Sequence, residues 1–348
     1  MPTKLGYRMP AEWERHEATW LTWPHNPETW PDLKKIESIY TEIISLLTRG
    51  ERVKLLVSNP FEEEHALGLC AKASIDLSKI DTFQIPTCDA WIRDYGPNFV
   101  VSRANGKKEL SVNRWIFNAW GSKYEEHLQD DQALESILNV LKLPIFYPEF
   151  ILEGGSIDTN GAGILLTTEQ CLLNSNRNSH LSKHQIELKL KEFLGIETII
   201  WLKVGIAGDD TDGHIDDIAR FVSERAIVTI VERNKKDENY DLLQENLKIL
   251  KKAKSLSGEP LEIVELPAPG KVIYHKTRLP ASYANFYIAN SVVLVPIFGH
   301  ENDPVALKIL KSFFPGREVI GIRSEDLVIG LGGIHCLTHE EPAFSFQV

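Results

Sequence analysis

Asn98-Phe-Val-Val-Ser102 and Leu110-Ser-Val-Asn-Arg-Trp-Ile-Phe117 are two largely apolar runs, separated by a stretch that contains Ala104-Asn-Gly106. Asn-Gly between two such runs is typical of a β-hairpin. A helix is predicted at about residues 129–142, and a short strand at Ile145–Tyr147. The order strand, strand, helix, strand is therefore the unit that this part of the chain predicts.

The same unit is predicted three more times toward the C-terminus. Its helices begin about every 53 to 64 residues, a period typical of a supersecondary repeat. The predicted hairpins and closing strands are Ile151–Asp158 with Gly163–Thr168 and Glu197–Leu202, Asp216–Val222 with Ala226–Val231 and Leu261–Glu265, and Asn285–Ala289 with Val292–Pro296 and Glu318–Ile322. The helices begin with a capping box from Ser182 to Gln185, near residue 240, and at Asp303-Pro304.

A fifth unit combines the two ends of the chain. Leu33–Thr48 has apolar residues on one helical face, and Thr19–Thr22 is predicted to pair with the Ile334–Thr338 region. Five units closed head to tail predict an α/β fold, a five-bladed pseudo-symmetric ββαβ propeller. A generic α/β or α+β domain without symmetry is the alternative. No low-complexity linker divides residues 1–348, which favours a single catalytic domain.

Composition restricts the class of protein. With 43% hydrophobic and 25% charged residues the chain is typical of a soluble globular protein, and no apolar run approaches the length of a membrane span. The net charge of −11 argues against nucleic acid as a partner and is compatible with a small cationic substrate. The four cysteines are dispersed without a CxxC pair, which excludes a dithiol redox enzyme and predicts a cytoplasmic protein with reduced thiols.

A thiol follows a glycine-rich stretch near residue 330. Gly330-Leu-Gly-Gly-Ile-His-Cys336 places Cys336 directly after two adjacent glycines and His335. A cysteine on such a turn is a candidate nucleophile, although a free cysteine is more commonly a small buried hydrophobe. The stretch matches neither a phosphate-binding loop nor a dinucleotide fingerprint.

Acidic and histidine residues lie at the predicted strand ends. Asp94 precedes a glycine-proline turn, Glu153 precedes Gly154-Gly155, and His214 and Asp216 lie in an acidic loop. On a strand, positions 214 and 216 would point to the same face. The alternatives are an ordinary salt bridge, a turn cap, a structural histidine and a calcium loop at residues 209–217. Zinc is poorly supported, because short paired ligand spacing is absent.

A guanidinium substrate accounts for these groups together. A papain-like cysteine hydrolase could also be assembled here, but it would leave two carboxylates unexplained. Carboxylates bind a planar guanidinium through its N–H edges, so two of them leave the central carbon open to a thiolate. A histidine can then protonate the departing ammonia and deprotonate the incoming water.

Six motifs in fixed order carry a resemblance to a known family. They are Trp91-Ile-Arg-Asp-Tyr-Gly-Pro97, Phe117-Asn-Ala-Trp-Gly121, Glu153-Gly-Gly155, Asp212-Gly-His-Ile-Asp-Asp217, Pro280-Ala-Ser-Tyr-Ala-Asn-Phe-Tyr287 and Gly332-Gly-Ile-His-Cys336. Together they closely resemble the agmatine deiminases, which belong with bacterial Porphyromonas-type peptidylarginine deiminases to the guanidino-group-modifying superfamily. The resemblance spans the chain from about Glu12 to Thr338 and implies the five-bladed ββαβ propeller. One departure is Leu337-Thr-His-Glu340, where many relatives carry Ile-Thr-Gln-Gln.

The resemblance also implies the roles of five residues. Cys336 would be the nucleophile that forms an amidino-cysteine intermediate, and His214 would be the general acid and base. Asp94 and Asp216 would bind the guanidinium, and Glu153 would orient the imidazole by a hydrogen bond. The family needs no metal or organic cofactor. The implied reaction converts agmatine and water to N-carbamoylputrescine and ammonia, a step toward putrescine.

The distal end of the substrate is less well specified. The amine of agmatine would favour acids and aromatic rings, and Asp210, Asp212, Trp91 and Trp120 are the candidates in the substrate-binding region. Free arginine or peptidyl arginine would need donors instead, and three arginines lie near the motifs: Arg93, Arg114 and Arg177. A non-catalytic guanidine-binding scaffold is a further alternative. A homodimer is expected from the general prevalence of dimers among soluble enzymes.

Overall fold

The computed structural model describes residues 1–103 and 109–343, which form a mixed α/β fold of small sheets and flanking helices. The predicted hairpin turn at Ala104-Asn-Gly106 lies outside the described residues. Within the described ranges, no helix has both the length and the apolar character that crossing a membrane requires.

Three- and four-stranded sheets make up most of the β-structure. In each of them a strand pairs antiparallel with one neighbour and parallel with the other, so a hairpin is followed by a crossover that contains a helix. The strands of these sheets are Tyr7–Arg8, Asn98–Ser102, Glu109–Asn113 and Ile145–Phe146; Asp158–Thr159, Ile164–Thr168 and Thr198–Leu202; Ala219–Ser223, Ala226–Val231 and Glu262–Pro267; Tyr287–Ile288, Val292–Ile297 and Glu318–Arg323; and Thr338–Pro342, His16–Thr22, Arg52–Val57 and Ile80–Gln84. A separate small hairpin joins Ile273–Tyr274 and Thr277–Arg278.

The longer helices follow the predicted positions closely. They are Leu33–Leu47, Pro60–Lys72, Asp130–Leu141, Lys183–Leu194, Asn239–Leu250 and Asp303–Phe313. Leu33–Leu47 buries Ile36, Tyr40, Ile43 and Leu47, a spacing that forms one apolar stripe. The predicted capping box is present at Lys183–Leu194, where the Ser182 and Gln185 side chains each contact the backbone of the other residue.

The two ends of the chain meet in one sheet, as the sequence predicts, but the C-terminal strand begins only at Thr338, because the predicted Ile334–Leu337 part forms a helical turn. Thr338–Pro342 pairs antiparallel with His16–Thr22, with Thr338 opposite Leu21, and Arg52–Val57 then pairs parallel with His16–Thr22. The largest apolar core packs Leu33–Leu47 against this sheet and extends to Cys336. The pairing therefore fixes where the candidate nucleophile lies.

Short turns replace several predicted strand segments. Most of Ile151–Asp158 is not strand, because Gly154–Ser156 forms a 3₁₀ turn and pairing begins only at Asp158. Ile215–Asp217 is also a 3₁₀ turn, and its strand begins at Ala219. The prediction that residues 214 and 216 share a strand face is therefore wrong, although both side chains still reach the candidate site. Glycine favours turns over strands, and an apolar pattern does not mark a single 3₁₀ turn.

Short helical segments carry much of the site. The short α-helical turns are Ile92–Tyr95, Glu169–Leu172 and Ile334–Leu337, and Ala119–Ser122 is a turn of left-handed conformation. The 3₁₀ turns are Pro2–Leu5, Leu77–Lys79, Glu125–Gln129, Gly154–Ser156, Ile215–Asp217 and Leu327–Gly330. Asp94, Glu153, His214, Asp216 and Cys336 all lie in or next to such turns, at positions where loops join the sheets.

Candidate active site

The Cys336 thiol lines a cavity of about 310 Å³. It lies in the turn Ile334–Leu337, and its Sγ is 3.3 Å from the Asn285 side-chain nitrogen and 3.8 Å from Asp216 Oδ2. A Cβ on Gly333 would come within 2.4 Å of Asn285 Oδ1, so a glycine is required for this approach. The glycine pair before the thiol thus has a steric purpose.

Burial raises the pKa of the Cys336 thiol well above its ordinary value, and the carboxylates of Asp216, Asp217 and Asp94 raise it further. Burial and these carboxylates therefore favour the neutral thiol. A bound cation next to the same carboxylates has the opposite effect, because positive charge stabilises a thiolate. The site is arranged so that a cationic ligand activates the sulfur.

Asp94 is fixed by two donors. Trp120 Nε1 donates to Asp94 Oδ2 at 2.8 Å, and the backbone N–H of Gly155 donates to Asp94 Oδ1 at 2.9 Å. Burial raises the pKa of Asp94, since it outweighs the opposing effects of His214 and of the Trp120 hydrogen bond. The carboxylate is held in place by two uncharged N–H donors.

Trp120 reaches Asp94 from a left-handed turn. Ala119, Trp120, Gly121 and Ser122 all have positive φ, at 52°, 52°, 85° and 60°. Such a conformation costs about 1–2 kcal/mol for each residue that carries a Cβ. Asn118 holds the turn through its Oδ1, which accepts from the Gly121 N–H at 2.9 Å. The fold maintains this strained turn, which aims the indole N–H at Asp94.

Gly155 is the point where three functional side chains meet. A Cβ at this position would lie 2.6 Å from His214 Nδ1, 2.9 Å from Asp94 Oδ1 and 3.1 Å from Asp216 Oδ2. His214 Nδ1 is 3.7 Å from Asp94 Oδ1. Burial lowers the pKa of His214, but the negative charge of Asp94 and other neighbours outweighs it, so the pKa is raised well above its ordinary value.

Asp216 differs from Asp94 in its partner. His335 Nδ1 lies 2.7 Å from Asp216 Oδ2, and Oδ1 has no hydrogen-bond partner in the described part of the chain. Burial acts to raise the pKa of Asp216, but the hydrogen bond and charge of His335 outweigh it, so the pKa is lowered. Asp216 therefore remains ionised, and its Oδ1 keeps unused capacity to accept a hydrogen bond.

Glu153 is hydrogen-bonded to Arg177, and not to His214 as the resemblance implied. Arg177 Nε donates to Glu153 Oε1 at 2.6 Å, and among the described residues neither Glu153 Oε2 nor His214 Nε2 has a hydrogen-bond partner. The expected hydrogen bond from Glu153 to His214 is absent from this arrangement, because the carboxylate is turned toward the guanidinium. Arg177 also donates to Asp212 Oδ2, and so links the Glu153 turn to the loop before His214.

The four candidates for the distal end separate into two groups. Trp91, Trp120 and Asp210 line the cavity, and Asp210 accepts a hydrogen bond from the Tyr124 hydroxyl. Asp212 does not line it, because its carboxylate is ion-paired with Lys123 at 2.7 Å and with Arg177 at 3.1 Å. Asp212 thus stabilises the loop and does not contact the cavity.

Two further polar residues belong to the site and had no assigned role. Asn285 contacts the Cys336 sulfur, and its Nδ2 also donates to Asp217 Oδ1 at 3.0 Å. Burial raises the pKa of Asp217 well above its ordinary value, with Asp216 and Asp209 adding to the effect. Both residues lie in motifs already noted, at Pro280–Tyr287 and Asp212–Asp217, but their contacts are long-range and have no signal in the local sequence.

One group of side chains has the composition of a metal site. Glu153, Cys171 and His214 each offer one ligand atom, and these atoms lie within 4.8 Å of one another. Arg177 already bonds to Glu153, and a cation would have to compete with that guanidinium. We therefore do not assign a metal centre to these residues.

Comparison with known proteins gives the family. A sequence profile described as Porphyromonas-type peptidyl-arginine deiminase matches residues 8–342. The chain belongs to this family. It is 36% identical to an agmatine deiminase of Medicago truncatula, over 98% of this chain and 98% of that protein.

Solved structures of family members are similar over nearly the whole chain. Agmatine deiminase of Enterococcus faecalis matches with a TM-score of 0.90 and 31% identity, covering 99% of this chain and 98% of that one. The C. jejuni agmatine deiminase with substrate bound matches with a TM-score of 0.86 and 34% identity, covering 97% and 96%. An amidinotransferase from Microseira wollei, at 12% identity and a TM-score of 0.51, shares the fold alone.

Proposed function

We propose that this family member is an agmatine deiminase. It hydrolyses the guanidinium group of agmatine to N-carbamoylputrescine and ammonia, a step of putrescine biosynthesis, and is thus a hydrolase of C–N bonds in linear amidines. The observation that carries the proposal is a buried thiol, Cys336, in one site with the Asp94 and Asp216 carboxylates and the His214 imidazole. The agmatine deiminases similar to this chain over most of its length support the same reaction.

Asp94 and Asp216 bind the guanidinium in this mechanism. Asp216 Oδ1 has no partner among the described residues, and each Asp94 oxygen keeps a lone pair beyond its one hydrogen bond. A planar cation between two buried carboxylates makes strong charge-assisted hydrogen bonds. Binding also removes the unfavourable negative charge that keeps the Cys336 thiol neutral.

The chemical steps use Cys336 and His214. Once the cation is bound, the Cys336 thiol releases its proton to solvent, and the thiolate forms a C–S bond to the guanidinium carbon. A terminal nitrogen then accepts a proton from the His214 imidazolium and departs as ammonia. Water attacks the amidino-cysteine that remains and gives one proton to His214. The C–S bond then breaks, the thiolate is restored, the proton of the new hydroxyl passes to solvent, and the neutral ureido product leaves. Glu153 holds the imidazole region through its link to Arg177.

The cavity favours a substrate with a positively charged distal end. Its lining includes five carboxylates, and among the described residues that line it there is no lysine or arginine. The lining carboxylates are Glu28, Asp89, Asp94, Glu126 and Asp210. The α-carboxylate of free arginine would be repelled there, whereas the amine of agmatine would be attracted.

The three arginines near the motifs are engaged elsewhere. Arg93 is paired with Glu340, Arg114 with Asp131, and Arg177 with Glu153. None of these guanidinium groups is free to bind a substrate carboxylate. Agmatine is therefore preferred over arginine and peptidyl arginine.

Ammonia release from agmatine, free arginine and a blocked peptidyl arginine tests the proposal, with wild type and Cys336→Ala. We expect release from agmatine to exceed the other two, and to be lost in the variant. Preference for arginine or the peptide would move the substrate to that class. Absence of release from all three by folded protein would favour a non-catalytic guanidine-binding scaffold.

We also propose that residues 1–348 form a single catalytic domain, a closed five-bladed ββαβ propeller that works without a metal or organic cofactor as a cytoplasmic homodimer. The head-to-tail pairing of Thr338–Pro342 with His16–Thr22 supports the closed ring. Light scattering tests the dimer. Metal analysis and activity after exhaustive chelation test the absence of a cofactor.

A further inference from the structure

His335 precedes the nucleophile, but its side chain contacts a buried cluster of charges. Its Nδ1 lies 2.7 Å from Asp216 Oδ2, its Nε2 lies 2.8 Å from Glu12 Oε2, and its side chain is 3% exposed. A neutral imidazole has one N–H and can donate to only one of two carboxylates. Only the imidazolium has an N–H at each nitrogen, so only this form can donate to both carboxylates.

Glu12 is a rigid anchor for this imidazolium. Its Oε2 accepts from Arg220 at 2.8 Å, and its Oε1 accepts from the Ile288 backbone N–H at 2.8 Å. Arg93 lies 3.5 Å from the same Oε2, and its Nε donates to the backbone carbonyl of His335. The ring is thus held at both nitrogens and at its own backbone.

The charges of the cluster are nearly balanced when His335 is protonated. The buried carboxylates are Glu12, Asp158, Asp216 and Glu340, and the buried cations are Arg93, Arg220 and His335. The cluster then keeps one net negative charge, and Asp216 Oδ1 lacks a hydrogen-bond partner in residues 1–103 and 109–343. With neutral His335 a second buried negative charge would be uncompensated, which is strongly unfavourable.

We propose that His335 is a positioning residue: as an imidazolium it ties Asp216 to Glu12, which fixes Asp216 Oδ2 and leaves Oδ1 ionised and free for the substrate guanidinium. The inference rests on the proposed function, since it concerns the binding of the same cation. His335 does not exchange protons with the substrate. The acid and base role belongs to His214.

The two carboxylates of the site support this assignment. Burial acts on both, yet the pKa of Asp94 is raised and the pKa of Asp216 is lowered, and His335 contacts only Asp216. The charged or titratable groups that face Asp216 are His335, Arg220, His214, Asp94, Asp217 and Cys336. Those that face His335 are Asp216, Glu12, Arg93 and His339.

Agmatine binding at different pH values tests the proposal in a Cys336→Ser background, where no turnover interferes. In this parent the pKa of Asp94 is raised and that of Asp216 is lowered, so Asp94 is protonated first as the pH falls, and log Kd should rise. In the added variant His335→Gln, the pKa of Asp216 rises as well, because an adjacent positive charge is lost. Log Kd should then rise more steeply with falling pH than in the parent.

The fold-change follows from the same shift. At pH 8.5, the most alkaline point and the one that most favours both ionised carboxylates, the two proteins should bind agmatine within about threefold of each other. At pH 5.5, His335→Gln should bind about tenfold or more weakly than the parent. A loss that is equal at all pH values would indicate a structural role only, and would overturn the proposal.

His339 provides a matched control. It is also buried, four residues further along, and its Nε2 lies 2.6 Å from the Pro97 carbonyl. Burial and the charge of Arg93 lower its pKa to about 4, so it is neutral above pH 5.5. His339→Gln in the same background should leave the pH dependence of log Kd the same as in the parent. A steeper dependence in this control would show that any buried substitution changes the titration, and would overturn the proposal.

A spectroscopic measurement covers the case in which His335→Gln does not fold. In protein with ¹⁵N-labelled histidine that also carries His214→Gln, so that the other site imidazole of raised pKa is absent, one imidazole should carry two ring N–H protons, and its signal should move in Asp216→Asn. A neutral tautomer at this position would overturn the proposal. If Cys336→Ser protein binds no agmatine at any pH, the proposed function fails, while the ¹⁵N spectrum still decides the state of His335.

Discussion

Two regions of the molecule are equally buried but shift the pKa of their acidic groups in opposite directions. One is the wall, meaning the residues that line the cavity, and the other is the charge cluster around Glu12. At the wall, the pKa of Asp94 and that of Cys336 are raised, because burial and like charges outweigh the stabilising contacts. In the cluster, the pKa of Glu12 and that of Glu340 are lowered, because guanidinium and imidazole neighbours outweigh burial. Burial alone therefore does not set the direction of the pKa shift. The charged neighbours of each group set it.

The two regions contribute to different properties, the wall to ligand binding and the cluster to stability. Asp216 Oδ1, at the boundary between the two regions, has no hydrogen-bond partner within the described residues. A guanidinium supplies the N–H donor that this oxygen lacks. The cluster has its ion pairs already formed, and it holds the wall in place. Residues of the first kind should affect activity more than folding, and residues of the second kind the reverse.

The largest effect should come from the wall, at the nucleophile. Cys336→Ser should lower kcat for agmatine by about 10⁴-fold or more, because a hydroxyl without a matched base is a poor nucleophile. Steady-state ammonia release measures this, and unchanged circular dichroism verifies the fold. Cys70→Ala, a buried cysteine whose pKa is raised to about 11 by burial, is the control and should retain activity. Substantial turnover by Cys336→Ser would remove the cysteine from the mechanism.

In the cluster, Arg220→Leu should lower the free energy of unfolding by about 3–5 kcal/mol, since it removes a cation shared by two buried carboxylates. The two are Glu12 and Asp158. Urea titration measures the change. Arg225→Leu is the matched control, because its pair with Glu259 is more than half exposed, and it should not shift the midpoint measurably. Equal midpoints for both variants would contradict the division between wall and cluster.

Asp94→Asn and Asp216→Asn test the boundary between the two regions. Each should lower kcat/KM for agmatine by about 10²-fold, because each removes a charged partner of the same cation. The changes that they cause in the free energy of unfolding should have opposite signs. Asp94→Asn removes a buried charge of raised pKa and should preserve or increase the free energy of unfolding, whereas Asp216→Asn deprives His335 of a carboxylate and should decrease it. Unchanged kinetics in either variant would exclude that carboxylate from the site.

The smallest effect concerns Trp120→Phe, which removes the hydrogen bond to Asp94 and retains most of the ring. We expect kcat/KM to fall by about tenfold, the value of one hydrogen bond to a charged group. This hydrogen bond lowers the pKa of Asp94, so its loss raises that pKa further. Because binding needs the ionised carboxylate and is lost as the pH falls through this pKa, the acid limb of the pH profile should move to higher pH. An unmoved limb would mean that the indole only packs.

Much of this architecture could be predicted from local patterns. Helices such as Leu33–Leu47 have a clear apolar stripe, and the pairing of the two chain ends follows from counting repeated units. The 3₁₀ turns at Gly154–Ser156 and Ile215–Asp217 could not, because one turn has no periodicity to detect. The apolar pattern around them predicts strands for this reason.

The candidate site shows the same limit. Motifs identified Cys336, Asp94 and Asp216, since unusual local sequences mark them. The partners of these residues were not identifiable, because Trp120 reaches Asp94, Arg177 reaches Glu153 and Glu12 reaches His335 only through the fold. Charge alone suggested Asp212 for the cavity, but its pairing with Lys123 could not be foreseen from spacing.

The pairing of His16–Thr22 with Thr338–Pro342 has a consequence for how the protein becomes active. These strands are separated by about 300 residues, so their contact closes a very long loop and is expected to form late in folding. Cys336 lies only two residues before Thr338. During refolding from denaturant, most secondary structure should therefore return before ammonia release does. The nucleophile reaches its place in the last step by which the chain becomes an enzyme.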